Sequence, residues 1–312
     1  MRKTFIQALI ELAEKNDQIW LLCGDLGYSV LEPFTTRFPE RFLNVGVAEQ
    51  NMIGVAAGLA LSGKQVFCYS IANFPIMRCL EQIRNDVCYH QLKVRIVTVG
   101  GGFAYGSAGY SHHGLEDLAV MRAMPNMLVT APGDPIETRL VLNAMVVDPG
   151  PAYLRLGKGG EPSFPEEAPA YRLGDLLRKR PGDDVTFLTT GAILSEAMEA
   201  ATILDRHGIH AGVVSLPVLK PLNREALLAL ARQTPWLITV EEHTRSGGLG
   251  ELVASVLVET GEVLPKLTIV SVPQGGTEIA GSQASLRRNC SLDAESLAQL
   301  VLSPVNSQNE RL

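Results

Sequence analysis

The stretch NVGVAEQNMIGVAAGLALSG, residues 44–63, sets a single acid, Glu49, between an apolar run (Phe42, Leu43, Val45, Val47) and a helix-length segment rich in Ala and Gly. An acid there has two uses. At the head of a helix it complements the dipole, a gain of about 0.3–1 kcal/mol. Alternatively it is a buried acid–base group. Gly54, Ala56, Ala57, Gly58 and Ala60 would let this helix pack closely on another, and glycine costs a helix roughly 1 kcal/mol relative to alanine unless such packing offsets it. A carboxyl beside a close-packed interface is desolvated, which favours its neutral form and suits proton sharing.

Three further groups could carry chemistry. His112 and His113 are adjacent in GYSHHG, a glycine-bounded loop after an apolar run, where they are either ordinary surface or core histidines or proton carriers. Arg155, in YLRLGKG, closes a strand-like run and would be a salt bridge or a fork for an anion. Asp25, in GDLGYS, follows the run IWLLC and would cap the next helix or belong to a site. Two other stretches invite and then fail a motif test. VGGGFAYG (99–106) lacks the G-x-G-x-x-G spacing and opens no helix. Glu241, Glu242 and His243 in EEHTRSGGLG lack metal-ligand spacing and read as a turn or a subunit contact.

The elements that must position these residues follow one rhythm. IWLLCGD, FLNVGV, QVFCYS, VRIVTVG, MLVTAPGD and AYLRLG alternate with helix-length amphipathic segments, the pattern of a buried, mostly parallel sheet wrapped by helices. Several runs end in Gly, Ser, Asp or Pro, which puts polar loops at the carboxyl edge of the sheet, where such folds build their sites. The rhythm breaks in the Gly-, Pro- and charge-rich stretch that follows, then resumes with VTFLTTG, HAGVVSL, WLITVEEH and LTIVSV and helices near 193–207, 223–232 and 248–260. This predicts two doubly wound α/β domains, 1–160 and a smaller 183–312, joined by a linker at 161–182. The tail SPVNSQNERL is polar and expected to fray.

Composition narrows the function classes. The chain has 312 residues, 46% of them hydrophobic and 19% charged, which describes a folded protein rather than a disordered one. Asp plus Glu (33) exceed Lys plus Arg (27), giving a net charge of -6, which argues against a nucleic-acid partner but leaves small anionic substrates open. The five cysteines are odd in number and form no CxxC pair, so a reducing cytoplasm is expected. The N-terminal segment breaks its apolar run with Glu11, Glu14, Lys15 and Asp17 and lacks a signal-peptide core, and no uncharged run reaches the ~20 residues of a membrane helix.

FLNVGVAEQNMIGVAAGLALSG resembles the segment that carries the thiamine-activating glutamate of transketolases, deoxyxylulose-phosphate synthases and the β chains of 2-oxoacid dehydrogenases. GDLGYS, FCYSIANFPIMRCLEQIRNDV, GSAGYSHHGLEDLAVMRAMPNMLVTAPGD and PAYLRLGKG follow in that family's order, and VEEHTRSGGLGELVA is similar to its C-terminal domain. The resemblance spans nearly the whole chain. It implies that Glu49 hydrogen-bonds the pyrimidine of thiamine diphosphate, and that the cofactor performs the carbanion chemistry. It implies that Asp25 and Leu26 pack beside the ring system, and that Phe74 or its competitor Tyr69 stacks on the pyrimidine. His112 matches the loop histidine facing the substrate, with His113 as a weaker neighbour. Arg155 matches a substrate-phosphate arginine, with Ser29 as a further phosphate contact, and Arg78 matches a family arginine of unassigned role. The family's loop acid is replaced here by Ala108, which leaves the hydroxyl recognised by that acid without its partner.

The family also needs a Gly-Asp-Gly motif and a following Asn to hold Mg²⁺ and the diphosphate, and this sequence has no GDG. The resemblance is therefore to the C-terminal half of a transketolase. A separate pyrophosphate-binding subunit would hold the Mg²⁺ and complete the site, as an α2β2 heterotetramer acting on small phosphorylated sugars. The competing expectations are a deoxyxylulose-phosphate synthase-like or 2-oxoacid-decarboxylating subunit, and a non-catalytic regulatory subunit.

Overall fold

The computed structural model describes residues 1–165, 171–261, 265–274 and 278–303. Its first sheet is built from β1 (Ile19–Cys23), β2 (Phe42–Asn44), β3 (Gln65–Ile71), β4 (Val94–Val99), β5 (Leu128–Thr130) and β6 (Ala152–Leu156). A second sheet uses β7 (Leu177–Arg180), β8 (Val185–Thr190), β9 (Ala211–Ser215), β11 (Trp236–Thr244) and β12 (Lys266–Val272), while β10 (Val218–Lys220) crosses over and joins the first. The orders are β10-β5-β6-β4-β3-β1-β2 and β12-β11-β8-β9-β7. All pairings are parallel except the two at sheet edges, β10 with β5 and β7 with β9.

Parallel strands covered on both faces should be apolar throughout, and they are enclosed along their length: every residue of β4, β6, β8 and β9 is buried. One core cluster packs α1 (Arg2–Lys15) through Phe5 and Leu9 onto Phe67, Tyr69 and Val97. Another runs from Met52 and Cys68 on the opposite face to Leu188 and Val214 of the second sheet and Leu249 of the helix after β11. The two sheets thus share apolar packing, and β10, which follows the second sheet's β9 in the chain, pairs in the first. All five cysteines are buried free thiols, and among the described residues no helix is long and apolar enough to cross a membrane.

Residues 177–180, placed by the sequence in the linker, form β7. LRKR hides its alternation because the inward pair is an apolar residue and a lysine: Leu177 is buried, and the Lys179 side chain is enclosed with its Nζ 3.0 Å from Glu137 Oε1 and 3.6 Å from Asp134 Oδ2, while a short, charged strand suits an edge that must not pair further. Residues 166–170 of the expected linker and 304–312 of the expected tail lie outside the described residues. The helix after Glu49 also differs from expectation. In α3 (Glu49–Leu61) the face carrying Gly54 and Gly58 is exposed, and a methyl group added at either would meet nothing within 4 Å. Among the described residues no helix packs there, so Glu49 is buried by something else.

Candidate active site

Four strand ends converge at one edge of the first sheet. Cys23 and Asn44, the last residues of β1 and β2, lie in register, and β3 and β4 end beside them at Ile71 and Val99. The loops leaving this edge carry Asp25, Glu49, Phe74 and the histidine pair.

Glu49 opens α3 at its first position. The preceding Ala48 offers no side-chain cap, and the carboxyl is 3% exposed. Its partner is Arg78, the last residue of α4 (Asn73–Arg78): Nη1 donates to Glu49 Oε2 at 2.9 Å, and the arginine side chain is 53% exposed. Gln50 Nε2 donates to the Arg78 carbonyl at 3.0 Å and so ties the end of α4 to the start of α3. The Arg78 guanidinium also lies 4.8 Å from the centre of the Phe74 ring, and Phe74 meets His112 edge-on at 5.1 Å and 76°. Glu49, Arg78, Phe74 and His112 therefore form one continuous line. The Asn73 amide, donating to the His113 carbonyl, fastens α4 to the histidine loop and holds that line together.

The two histidines part company. His112 is half-buried, with Nδ1 3.0 Å from Ser111 Oγ, and faces Phe74. His113 is 1% exposed, wedged edge-on between Phe103 and Tyr110, with Nε2 3.4 Å from the Gly106 carbonyl. Ala108, where the family has an acid, is exposed in the short helical turn before them.

Asp25 caps no helix. Its carboxylate accepts from the Asn44 amide at 3.0 Å and the Tyr28 hydroxyl at 2.9 Å, and these bonds hold it below the usual carboxylate range. Asp25 and Ser29 both adopt positive φ, 57° and 63°, which turns the loop sharply. Leu26 lines a hollow of about 160 Å³ with Tyr28, Leu31, Phe42 and Asn44. Ser29 is exposed, and its backbone N–H donates to Glu32 Oε1 at 2.7 Å.

Two sequence candidates move elsewhere. Tyr69 is fully enclosed within β3 and stacks on Phe5 at 6.0 Å, so it has no face left for a ligand; burial pushes its hydroxyl far above its usual range. Arg155 is 4% exposed and belongs to the contact between the two sheets. Its Nε faces Asp117 Oδ2 at 3.1 Å, and Nη2 donates to the carbonyls of Gly114 at 2.5 Å and Glu242 at 2.9 Å. The void it touches measures about 10 Å³, room for a single water and not for a phosphate. Gly101 and Gly102 explain the glycine run beside it: a methyl group at Gly101 would lie 2.1 Å from Arg155 Nε, and one at Gly102 2.5 Å from the Glu242 side chain. Glu241, Glu242 and His243 are not a turn but the buried end of β11. Glu241 accepts the N–H groups of Leu249 and Gly250, and Glu242 pairs with Arg287 at 2.6 Å.

Sequence reasoning missed Asn44, Gln50, Asn73 and Ser111. Each is an uncharged polar residue at the end of an apolar run or beside a named candidate, which is the signal that could have found them.

The residue pattern of this chain matches the family model described as transketolase, pyrimidine binding domain, over residues 1–161, and that of the transketolase C-terminal domain over 174–297. The chain belongs to the transketolase family. One subunit of an apulose-4-phosphate transketolase from Actinobacillus succinogenes is 35% identical to it over 293 residues, covering 93% of this chain and 94% of that one. A 1-deoxy-D-xylulose-5-phosphate synthase from Thermomicrobium roseum is 37% identical over 304 residues, 96% of this chain but 48% of the synthase. A solved structure of a split-gene transketolase, described as an inactive β4 tetramer, superposes with a TM-score of 0.84 at 38% identity, covering 96% of each chain.

For a transketolase-family chain the cofactor implied is thiamine diphosphate, whose aminopyrimidine ring needs a carboxyl partner at its edge and an apolar face. Glu49 Oε1 has no hydrogen-bond partner among the described residues, and Phe74 lies in line with it through Arg78. These groups fit the pyrimidine end of the cofactor.

Proposed function

We propose that this chain is the pyrimidine-binding subunit of a thiamine diphosphate-dependent transketolase that moves a two-carbon ketol unit between phosphorylated sugars, with a separate pyrophosphate-binding subunit completing the site. One observation carries the reading: a buried acid at the head of α3 is aligned through Arg78 and Phe74 with His112 at the carboxyl edge of the sheet. When bound, thiamine diphosphate supplies the carbanion chemistry. Glu49 holds and shares a proton at the pyrimidine edge. Phe74 supplies the stacking face, and Asp25 and Leu26 flank the ring system. His112 moves a proton at the substrate end, and its bond to Ser111 fixes the ring for that task.

The partner is supported by what surrounds the site. Tyr28, Val47 and Tyr110 are 73%, 73% and 62% exposed along this edge, and the hollow beside Leu26 is smaller than the ~300–1,000 Å³ of complete small-molecule pockets. The Actinobacillus relative is named as one lettered subunit of its enzyme, which supports a second chain type. We assign Mg²⁺ and the diphosphate to that partner, in an α2β2 assembly. With Arg155 enclosed, the substrate phosphate must be met by other groups, Ser29 among them.

Mixing the purified chain with its partner, thiamine diphosphate and Mg²⁺ should give ketol transfer that neither chain shows alone. Full activity of this chain by itself would sink the split reading. The similarity to the synthase supports a second reading, decarboxylation of a 2-oxoacid. Carbon dioxide release from pyruvate by the reconstituted pair, without ketol transfer, would select it.

A further inference from the structure

Arg78 has a feature that pairing with Glu49 alone does not require. Its guanidinium is planar, delocalised and edged with N–H groups; one of these reaches Glu49 Oε2 at 2.9 Å while the group lies 4.8 Å from the centre of the Phe74 ring. An N–H edge on a buried carboxyl and a flat face beside an aromatic ring are the two contacts that the proposed function gives to an aminopyrimidine ring. Two planar groups cannot make them at once. Resting on that reading, we propose that the Arg78 side chain is a built-in stand-in for the pyrimidine, occupying its place in the unloaded chain and swinging out when the cofactor enters.

The local structure suits such a movement. Arg78 closes a helix of six residues, its side chain is half exposed, and its path to solvent is open on that side. Its backbone is pinned independently by Gln50 at 3.0 Å, so the side chain can rotate without unseating α4 or the Phe74–His112 contact that α4 carries. Without the stand-in, Glu49 would be a buried carboxyl lacking a protein partner, and burying an unpaired charge is costly. The arginine therefore stabilises the empty site and opposes its filling: binding is weakened by the fraction of time that Arg78 is in place.

Titrating the full-length chain with thiamine diphosphate by calorimetry tests the proposal. If Arg78 holds the site about nine-tenths of the time, Arg78→Ala should bind about tenfold more tightly than wild type. Arg78→Lys, which keeps the charge without the planar face, should fall between the two. Weaker or unchanged binding by Arg78→Ala would overturn the proposal, as would an Arg78→Ala chain that folds, by its thermal unfolding, yet shows no binding at millimolar cofactor. Adding Glu49→Gln to Arg78→Ala separates the two layers. If the double variant loses the gained affinity, Glu49 is the group the stand-in covers. If Glu49→Gln alters binding in neither background, the pyrimidine-site reading itself fails.

Discussion

Arg155 Nε stands 3.1 Å from Asp117 Oδ2, and neither side chain has more than 4% of its surface exposed. The same guanidinium reaches the Glu242 carbonyl of the second sheet, while Asp117 also accepts from the Tyr153 hydroxyl. One buried charge pair therefore sits where the two sheets meet. Arg155→Met leaves Asp117 buried without its cation, and removing one partner of such a pair costs about 3–5 kcal/mol. Denaturant unfolding should show a loss of that order. A phosphate-binding arginine would instead raise the KM for phosphorylated substrates at unchanged stability.

Glu49→Gln keeps the size of the side chain and removes the carboxyl to which the proposed function gives the acid–base role. Turnover of the enzyme reconstituted with its partner should fall by about 10²–10⁴, the range for losing an acid–base group. Unchanged turnover would remove Glu49 from the mechanism.

The histidines should separate by assay. His113→Ala empties a place enclosed by Phe103 and Tyr110 and should lower stability by about 1–3 kcal/mol. His112→Ala touches a half-buried ring and should spare the melting temperature while lowering turnover. The reverse pattern would exchange their roles.

Glu241 and His243 lie 3.7 Å apart and titrate in opposite senses. Burial lifts the Glu241 carboxyl to about 7, so the folded chain keeps a proton that the unfolded chain releases above the ordinary value of 4.5. Its contribution is full below 4.5 and is lost as pH rises to about 7. Burial lowers His243 to about 4 from 6.5, so the unfolded chain binds the extra proton, and that contribution is full above 6.5 and is lost as pH falls to about 4. The two slopes oppose one another between pH 4.5 and 6.5. Stability of Glu241→Gln should rise with pH across that window more steeply than wild type, and stability of His243→Gln should fall relative to wild type. Parallel curves for all three chains would exclude the pair as a source of pH dependence.

The apolar runs alone determined the central strands, because parallel strands covered on both faces must be apolar along their length; IWLLC, QVFCYS and VRIVTV could be little else, whereas the three-residue β10 was not legible. Local signals also put Glu49 at a helix start and the histidines in a loop. The charged β7 escaped because one of its two inward side chains is Lys179, whose burial depends on Asp134 and Glu137 more than forty residues away. What the sequence could not decide is which polar groups meet. Arg155 and Glu49 look alike as charged residues at the ends of apolar runs, yet the second sheet closes over one, and α4 delivers an arginine to the other. Tyr69 and Phe74 lie five residues apart, but one is sealed in a strand while the other stands at a helix start beside His112. Burial and pairing depend on residues distant in the chain, and those contacts exist only once the sheets have packed.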